Sequence, residues 1–311
     1  MDAVMVRPWS DGDAAEVAAL LASDATPVWA NQGHALHGPA WREGRRWRQT
    51  WVAERAGHLI GAVTVATNRV HDGRLLCAVE VAEQHRRRGV GSELLRQAYR
   101  GAPDSRPLAA KVAPDSAGHH FVAAVGGLAY QRCDGVTLDP SSPNVQAWAA
   151  GAVAPHGARV EPLDGWAHER LVAAFVEQYL WVHEGWSPVT SLDALDDVAR
   201  STIDEHDATM GSVAVVDGHL AALVLAFPAG DHQLEVVAET QSRSQPHGAA
   251  VLAAALARTV TAAAAAGMTA LELDGHVTDP HLHPLLQSAP VVTSNPLLLV
   301  EHSSQQAGAD L

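Results

Sequence analysis

The chain is poor in cysteine, with Cys77 and Cys133 the only two in 311 residues. Two thiols make no disulfide framework, and both lie in apolar, strand-like contexts that suit a buried, inert sulfur. Positive charge is also short: 21 Lys and Arg stand against 35 Asp and Glu, a formal net charge of −14. That balance argues against a nucleic-acid partner and favours a cationic or neutral small molecule. The opening Met1-Asp2-Ala3 lacks the basic residues and apolar core of a secretory leader. The most apolar stretch, 248–267, is alanine-rich but carries Arg258, Thr259 and Thr261, which reads as a packed helix rather than a membrane span. The expectation is a cytoplasmic protein with no membrane partner. Apolar residues make up 47% of the chain, enough for ordinary cores. The length suits two domains of about 150 residues each.

Hydrophobic patterning supports a division in two. A strand candidate at 4–7 precedes Ser10-Asp11-Gly12-Asp13, which supplies N-cap chemistry for a helix to about Ala22. Residues 34–51 read as irregular or partly helical. A hairpin of 51–55 and 58–67 turns at Ala56-Gly57. Then follow a strand at 74–81, a helix at 92–99, a strand at 108–112, a helix at 116–125 and a strand at 130–137. The order β-α-β-β-β-α-β-α-β predicts a mixed α/β sheet. Asp139-Pro140-Ser141-Ser142-Pro143 reads as a linker, after which the pattern restarts. Helices at 166–182 and 191–205 lead to a hairpin over 212–227 that turns at Asp217-Gly218. A strand at 234–240, a helix at 248–266, a strand at 269–273 and a closing strand at 297–300 complete it. The predicted domains are 1–139 and 144–302, with a frayed tail at 303–311.

Two motifs recur at nearly one period. Residues 86–91 read Arg-Arg-Arg-Gly-Val-Gly between an apolar strand and a helix, and 159 residues further on 245–250 read Gln-Pro-His-Gly-Ala-Ala in the same setting. The hairpin sequences Ala56-Gly57-His58-Leu59 and Asp217-Gly218-His219-Leu220 are offset by 161 residues. Two matches at one offset indicate an internal duplication. A strand running into a Gly-containing turn at a helix start is suited to an anion, because backbone N–H groups and the helix dipole face outward there.

The run Val81-Ala82-Glu83-Gln84-His85-Arg86-Arg87-Arg88-Gly89-Val90-Gly91-Ser92-Glu93-Leu94-Leu95 resembles the acyl-CoA pyrophosphate signature of the GNAT superfamily of N-acetyltransferases. The resemblance covers the element order of residues 4–138 and implies two tandem acyl-CoA N-acyltransferase-like domains. It implies acetyl-CoA, or another acyl-CoA, as donor and a small amine as acceptor. The cofactor contacts it implies are Val79, Val81, Arg86, Arg87, Arg88, Gly89, Val90, Gly91 and Ser92, with the two glycines letting the backbone approach the pyrophosphate. The second copy carries Gln245, Pro246 and His247 in place of the three arginines, and Pro246 removes an N–H from the cradle. One donor site, in the N-terminal domain, is therefore expected.

Glu80, beside Val81 in an apolar strand, is the candidate base for the attacking ammonium, and Glu239 keeps the same six-residue spacing to Gln245. A catalytic glutamate found in several family members corresponds to Leu75, which cannot serve. The family's usual tyrosine acid falls at Ala123, so His120 on nearly the same helical face is the candidate substitute, with Tyr130 second. The nine tryptophans fall within 9–51 and 148–186. Of these Trp29, Trp41, Trp47 and Trp51, with His34 and His37, are candidate acceptor contacts or core. His276, His281 and His283 lack the spacing and partners of a metal site, so no metal is expected. Two other readings stay open: a carrier-protein-bound acyl donor, and a non-catalytic acyl-CoA-binding or ligand-binding protein. A homodimer is compatible with all of them.

Overall fold

The structure is a computed structural model that describes residues 3–22, 33–44 and 46–303. The expected tail beyond Ser303, and Trp29, lie outside these residues. Two compact units emerge, one of Met1–Tyr130 with Leu297–Leu311 and one of Gln131–Pro296.

In the first unit β1 (Met5–Pro8), β2 (Trp41–Glu43), β3 (Arg46–Arg55), β4 (His58–Thr67), β5 (Leu75–Val81) and β6 (Leu108–Val112) alternate with α1 (Ala14–Ala22), α2 (Gly33–Leu36), α3 (Val90–Gly101) and α4 (Ala117–Ala124). The sheet runs β1-β3-β4-β5-β6 and is closed by the strand Leu297–His302. Only β5 and β6 are parallel; the closing strand is antiparallel to β6. Strand alternation sorts the side chains into two faces. Trp51, Ala53, Val63, Val65, Leu75 and Cys77 point one way and pack with Val90, Leu94, Leu95 and Ala98 of α3. Val52 and Ala62 point the other way and pack with Val17 and Leu21 of α1. Gly101 lies so close to Trp51 that a Cβ there would sit 2.1 Å from the indole ring.

The second unit contains most of β7 (Leu128–Leu138), then β8 (Ala158–Pro162), β9 (Ser212–Val216), β10 (His219–Gly230), β11 (Gln233–Thr240), β12 (Ala270–His276) and β13 (Thr293–Ser294). Its helices are α5 (Pro143–Ala150), α6 (His168–His183), α7 (Leu192–Glu205), α8 (Gly248–Ala265) and α9 (Leu282–Ser288). The strand Leu297–His302 of the first unit is β14. The second sheet runs β8-β9-β10-β11-β12-β7, with β11 and β12 parallel and β7 antiparallel to β12. The apolar helix α8 buries nine of its residues, among them Leu252, Leu256 and Val260, in a core with β10–β12.

The two sheets have one plan, strand for strand, which bears on the duplication. Both hairpin turns place two successive residues at positive φ: Ala56 at 53° and Gly57 at 79°, Asp217 at 51° and Gly218 at 83°. This is the type I′ geometry that matches strand twist. The linear division at 139–143 is not the structural one. The strand after α4, expected to finish the first domain, pairs through residues 133–138 with β12, and the strand at the far end of the chain finishes the first sheet.

Candidate active site

β5 and β6 pair over only two positions, Leu75 with Leu108 and Leu76 with Ala109, then diverge, while β4 stays paired with β5 as far as Val81. Leu75 N–H donates to Pro107 O at 2.9 Å on the β6 side, and Ala82 N–H donates to Ile60 O at 2.9 Å on the β4 side. Strand amides alternate between edges, so Cys77, Val79 and Val81 present theirs to the opened edge. The Val81 carbonyl on that edge accepts the Arg86 Nε–H at 2.9 Å, which folds the turn back onto the strand end. A cavity of about 100 Å³ occupies the notch. Its lining includes Val79 and Glu80 of β5, Lys111 of β6, Phe121 of α4 and His302 of β14.

The turn after β5 ends with Gly89 at φ 81°, ψ −2°, the N-cap of α3. A Cβ built on Gly89 meets no atom within 4 Å, so conformation rather than crowding calls for glycine, and the space before it is open. Glu93 N–H is bonded to Gly89 O at 3.0 Å; the amides of Gly89, Val90, Gly91 and Ser92 precede the first helical bond. Arg87 and Arg88 are exposed, Arg86 and Ser92 are half-buried, and the Val90 side chain is core. Gly91 departs from its expected role. Its Cβ position lies 3.2 Å from the Phe121 ring, so it lets α3 rest on α4.

The second copy differs in kind. His247 takes the left-handed position at φ 55°, and Gly248 is buried with its Cβ position 2.5 Å from His281 Nε2. His281 Nδ1 is 2.8 Å from Thr240 Oγ1, and Asp279 Oδ1 accepts the N–H groups of His281 and Leu282 at 2.6 and 3.0 Å. Gly248 is the first helical residue of α8, as Val90 is of α3, so the imidazole takes the place that the buried Val90 side chain has in the first unit, and the exposed His247 stands at the N-cap where the first unit has Gly89. Burial and the nearby Asp279 raise the Glu239 carboxyl well above the ordinary carboxylate range.

Glu80 falls on the α1 and α2 face of the sheet, next to β4. That face also holds a buried polar chain in which Thr64 Oγ1 lies 2.8 Å from Thr50 Oγ1 and 2.7 Å from His37 Nδ1. His37 is thus brought to the side where Glu80 sits. The tryptophans are not: Trp51 is core against Gly101, Trp47 packs with the same cluster, and the Arg46 guanidinium covers the exposed Trp41 ring at 4.5 Å. The side chain of His34 lies outside the described residues.

The candidate acids require correction. His120 is exposed, whereas Gly118, Phe121, Val122 and Val125 turn toward the cavity at helical spacing. Tyr130 lies under the Arg74 guanidinium at 3.8 Å, and Arg74 is in turn bonded to Glu301 at 2.5 Å. His302, which sequence reasoning missed, reaches the cavity from β14. Its Nε2 is 2.6 Å from Val125 O and its Nδ1 is 2.6 Å from the Tyr99 hydroxyl. Burial lowers the histidine's pKa. In the neutral ring Nε2–H donates to Val125 O, and the Tyr99 hydroxyl, which donates to the His302 main-chain O at 2.6 Å, lies against Nδ1. Both nitrogens are engaged, so His302 anchors β14 to α3 and α4. Burial pushes the Cys77 thiol up to about 12, in keeping with an inert sulfur.

Among the described residues no three His, Cys, Asp or Glu side chains converge as metal ligands. His276 Nδ1 faces Cys133 Sγ at 3.2 Å, and His283 Nδ1 lies 3.5 Å from Asp134.

A parallel strand pair that opens beside the start of a helix, built twice on one plan, defines a tandem α/β fold, the helix being capped by Gly89 in the first unit and by His247 in the second. Residues 14–124 match the model of the Acetyltransferase (GNAT) family, and the chain as a whole shares its fold with a solved tandem GNAT protein. Similar solved structures include a GCN5-related N-acetyltransferase from Sphaerobacter thermophilus, with 15% identity over 96% of this chain and 95% of that one at a TM-score of 0.65. A tandem GNAT protein from the clavulanic acid biosynthesis pathway has 16% identity over 96% and 98%, with a TM-score of 0.57. A GNAT-family acetyltransferase from Colwellia psychrerythraea has 12% identity over 96% and 99%, also at 0.57. At these identities the likeness is one of fold. No curated protein sequence gives a significant match.

Proposed function

We propose that the first unit binds acetyl-CoA, or another acyl-CoA, and transfers its acyl group directly to a small amine, with Glu80 as base. The observation that carries this reading is the opening of β5 from β6, with the Val79 and Val81 amides on its β5 edge, in the same unit as the uncapped first-turn amides of α3 and the free space at Gly89. The residues present fit the donor: Gly89 leaves room for a pyrophosphate, the α3 N-terminus supplies N–H donors and partial positive charge, and Arg87 and Arg88 add exposed cationic groups. The bound donor supplies an activated thioester carbonyl.

The amides on the open edge of β5 are oriented to polarise that carbonyl, as preorganised donors do where negative charge develops. The Glu80 carboxylate receives the proton of the attacking ammonium, whose ordinary pKa is about 10. The C–N bond forms as the C–S bond breaks, the nitrogen's second surplus proton passes to water, and the released thiolate takes its proton from water. His247 at the N-cap in place of Gly89, and Pro246 before it, which lacks an N–H, support a single donor site.

The test is calorimetric titration of acetyl-CoA followed by thiol release over a panel of polyamines, aminoglycosides and peptide amines. Binding with release for some amines is the expected result. Binding without release from any amine would favour a ligand-binding protein, and no affinity for acetyl-CoA would overturn the proposal. Glu80→Gln should lower kcat by about 10²–10⁴-fold while leaving acetyl-CoA affinity within twofold.

A further inference from the structure

The chain holds a single lysine, Lys111, among its 21 basic residues; all the others are arginine. A guanidinium stays charged and is no nucleophile, whereas a lysine amine becomes one when it sheds a proton. Only one side chain of the protein can therefore take an acyl group as a stable amide, and the fold puts it at the notch of the first unit.

β6 leaves β5 after Ala109, its last paired residue, and Lys111 follows two positions later. Its main chain is held there by pairing with Leu299 of β14. Leu75 and Leu108 are register partners, and both belong to the core with α3. By strand alternation, Ala78 and Glu80 of β5 then share the opposite face with Ala109 and Lys111 of β6. Glu80 and Lys111 stand on one face, on the two sides of the opening, and both line the cavity between the strands. Two other ionisable groups that line it are committed elsewhere: Glu301 to Arg74, and His302 to Val125 O. Lys111 is exposed and carries its amine on a flexible four-carbon stem. The amine thus reaches the notch from the β6 side, facing the edge of β5 that presents the Val79 and Val81 amides.

We propose that, when no acceptor is bound, the first unit acylates its own Lys111, forming an Nε-acyl-lysine at the notch. The inference rests on the acyl-donor reading above and adds to it a modification site within the chain. A nucleophile carried beside its electrophile needs no encounter from solution. The Lys111 ammonium gives one proton to the Glu80 carboxylate. Nζ bonds the thioester carbonyl carbon as the C–S bond breaks, the nitrogen's second surplus proton passes to water, and the thiolate takes a proton from water. The product is an uncharged amide, so the reaction runs once per chain and leaves a mark that outlasts the donor.

The experiment incubates the full-length protein with acetyl-CoA and no amine, and follows it by intact mass and peptide mapping. Expected is one side-chain acetyl group per chain, on Lys111, with one thiol released for each and a rate unchanged when the protein is diluted at fixed acetyl-CoA. Lys111→Arg should acquire no side-chain acetyl group. Below saturating acetyl-CoA, Gly89→Asp should acquire it at least about tenfold more slowly than Gly89→Asn. The chain unfolded in urea measures ordinary chemical acylation and should be modified at Lys111 at least about tenfold more slowly than the folded protein. Calorimetric binding of acetyl-CoA with Lys111 left unmodified would overturn self-acylation and leave the acyl-donor reading standing, whereas no binding would overturn both. Modification no faster than in urea, or a rate that falls in proportion as the protein is diluted, would also overturn the proposal.

Discussion

Gly89 offers the most direct test of where an acyl-CoA sits, because Asn and Asp at that position are nearly isosteric and both tolerate left-handed backbone. At φ 81° with no atom within 4 Å of a Cβ, either substitution adds backbone strain of about 1 kcal/mol and no clash with the protein. Both variants should therefore melt a few degrees lower, by equal amounts. They differ in charge alone. A carboxylate about 5 Å from a doubly charged pyrophosphate, at an effective dielectric constant of about 40, opposes binding by about 3 kcal/mol. Screening at physiological salt reduces this to about 2 kcal/mol, or roughly 30-fold in Kd. At 1 M salt the Debye length of about 3 Å leaves only about threefold. Calorimetry with acetyl-CoA at two salt concentrations reads the ratio of the Asp to the Asn variant. Equal affinities at low salt, or a ratio that ignores salt, would refute the placement of the pyrophosphate before α3.

Other consequences can be measured in parallel. Gly248→Ala puts a methyl 2.5 Å from His281 Nε2 and should destabilise the second unit by about 1–3 kcal/mol, with acetyl-CoA affinity unchanged in calorimetry. His302→Ala leaves Val125 O without its partner while the Tyr99 hydroxyl keeps its bond to the main-chain carbonyl of position 302, and should cost about 1–3 kcal/mol in denaturant unfolding, with a lower melting temperature. Asp13 pairs bidentately with Arg7 at 2.8 Å through both oxygens and accepts the Ser10 N–H at 2.7 Å, and the Arg7 bonds bring its pKa down to about 2. Because the folded value lies below the unfolded one, the stabilisation is full above pH 4 and is lost as pH falls through 2. Asp13→Asn should remove about 2 kcal/mol at pH 7 and flatten the acid limb of a pH–stability curve.

Much of this was legible in local sequence. The turn at 86–91, its echo at 245–250 and the paired hairpins all report backbone conformation, which short stretches of sequence encode through glycine and turn residues. Residues placed by counting fared worse. His120 was placed from an assumed helical phase, and one position along α4 separates the cavity face, held by Phe121, from solvent. Trp47 and Trp51 looked like acceptor contacts, yet strand parity puts both on the α3 side, while Thr50 and Thr64 share the opposite face with Glu80. Parity was readable, since Val63, Val65 and Trp51 alternate with Thr64, Val52 and Thr50 in register. His302 was not readable as a cavity residue. Its place follows from β14 pairing with β6 across nearly 200 residues, and no local pattern specifies so distant a partner. The contact of His281 with Gly248 lay equally out of reach, because the two meet only through the tertiary fold.

The exchange of closing strands has a consequence during synthesis. The first sheet lacks its last strand until residue 302 has left the ribosome, so the N-terminal unit waits for more than 160 further residues after its own helix α4, about 10–30 s at ordinary elongation rates. Until then the edge of β6 is unpaired, and such edges invite wrong partners. The same interlacing binds the fates of the two copies in descent. A deletion of the second half would strip the first of its final strand, so the second copy persists as a structural necessity.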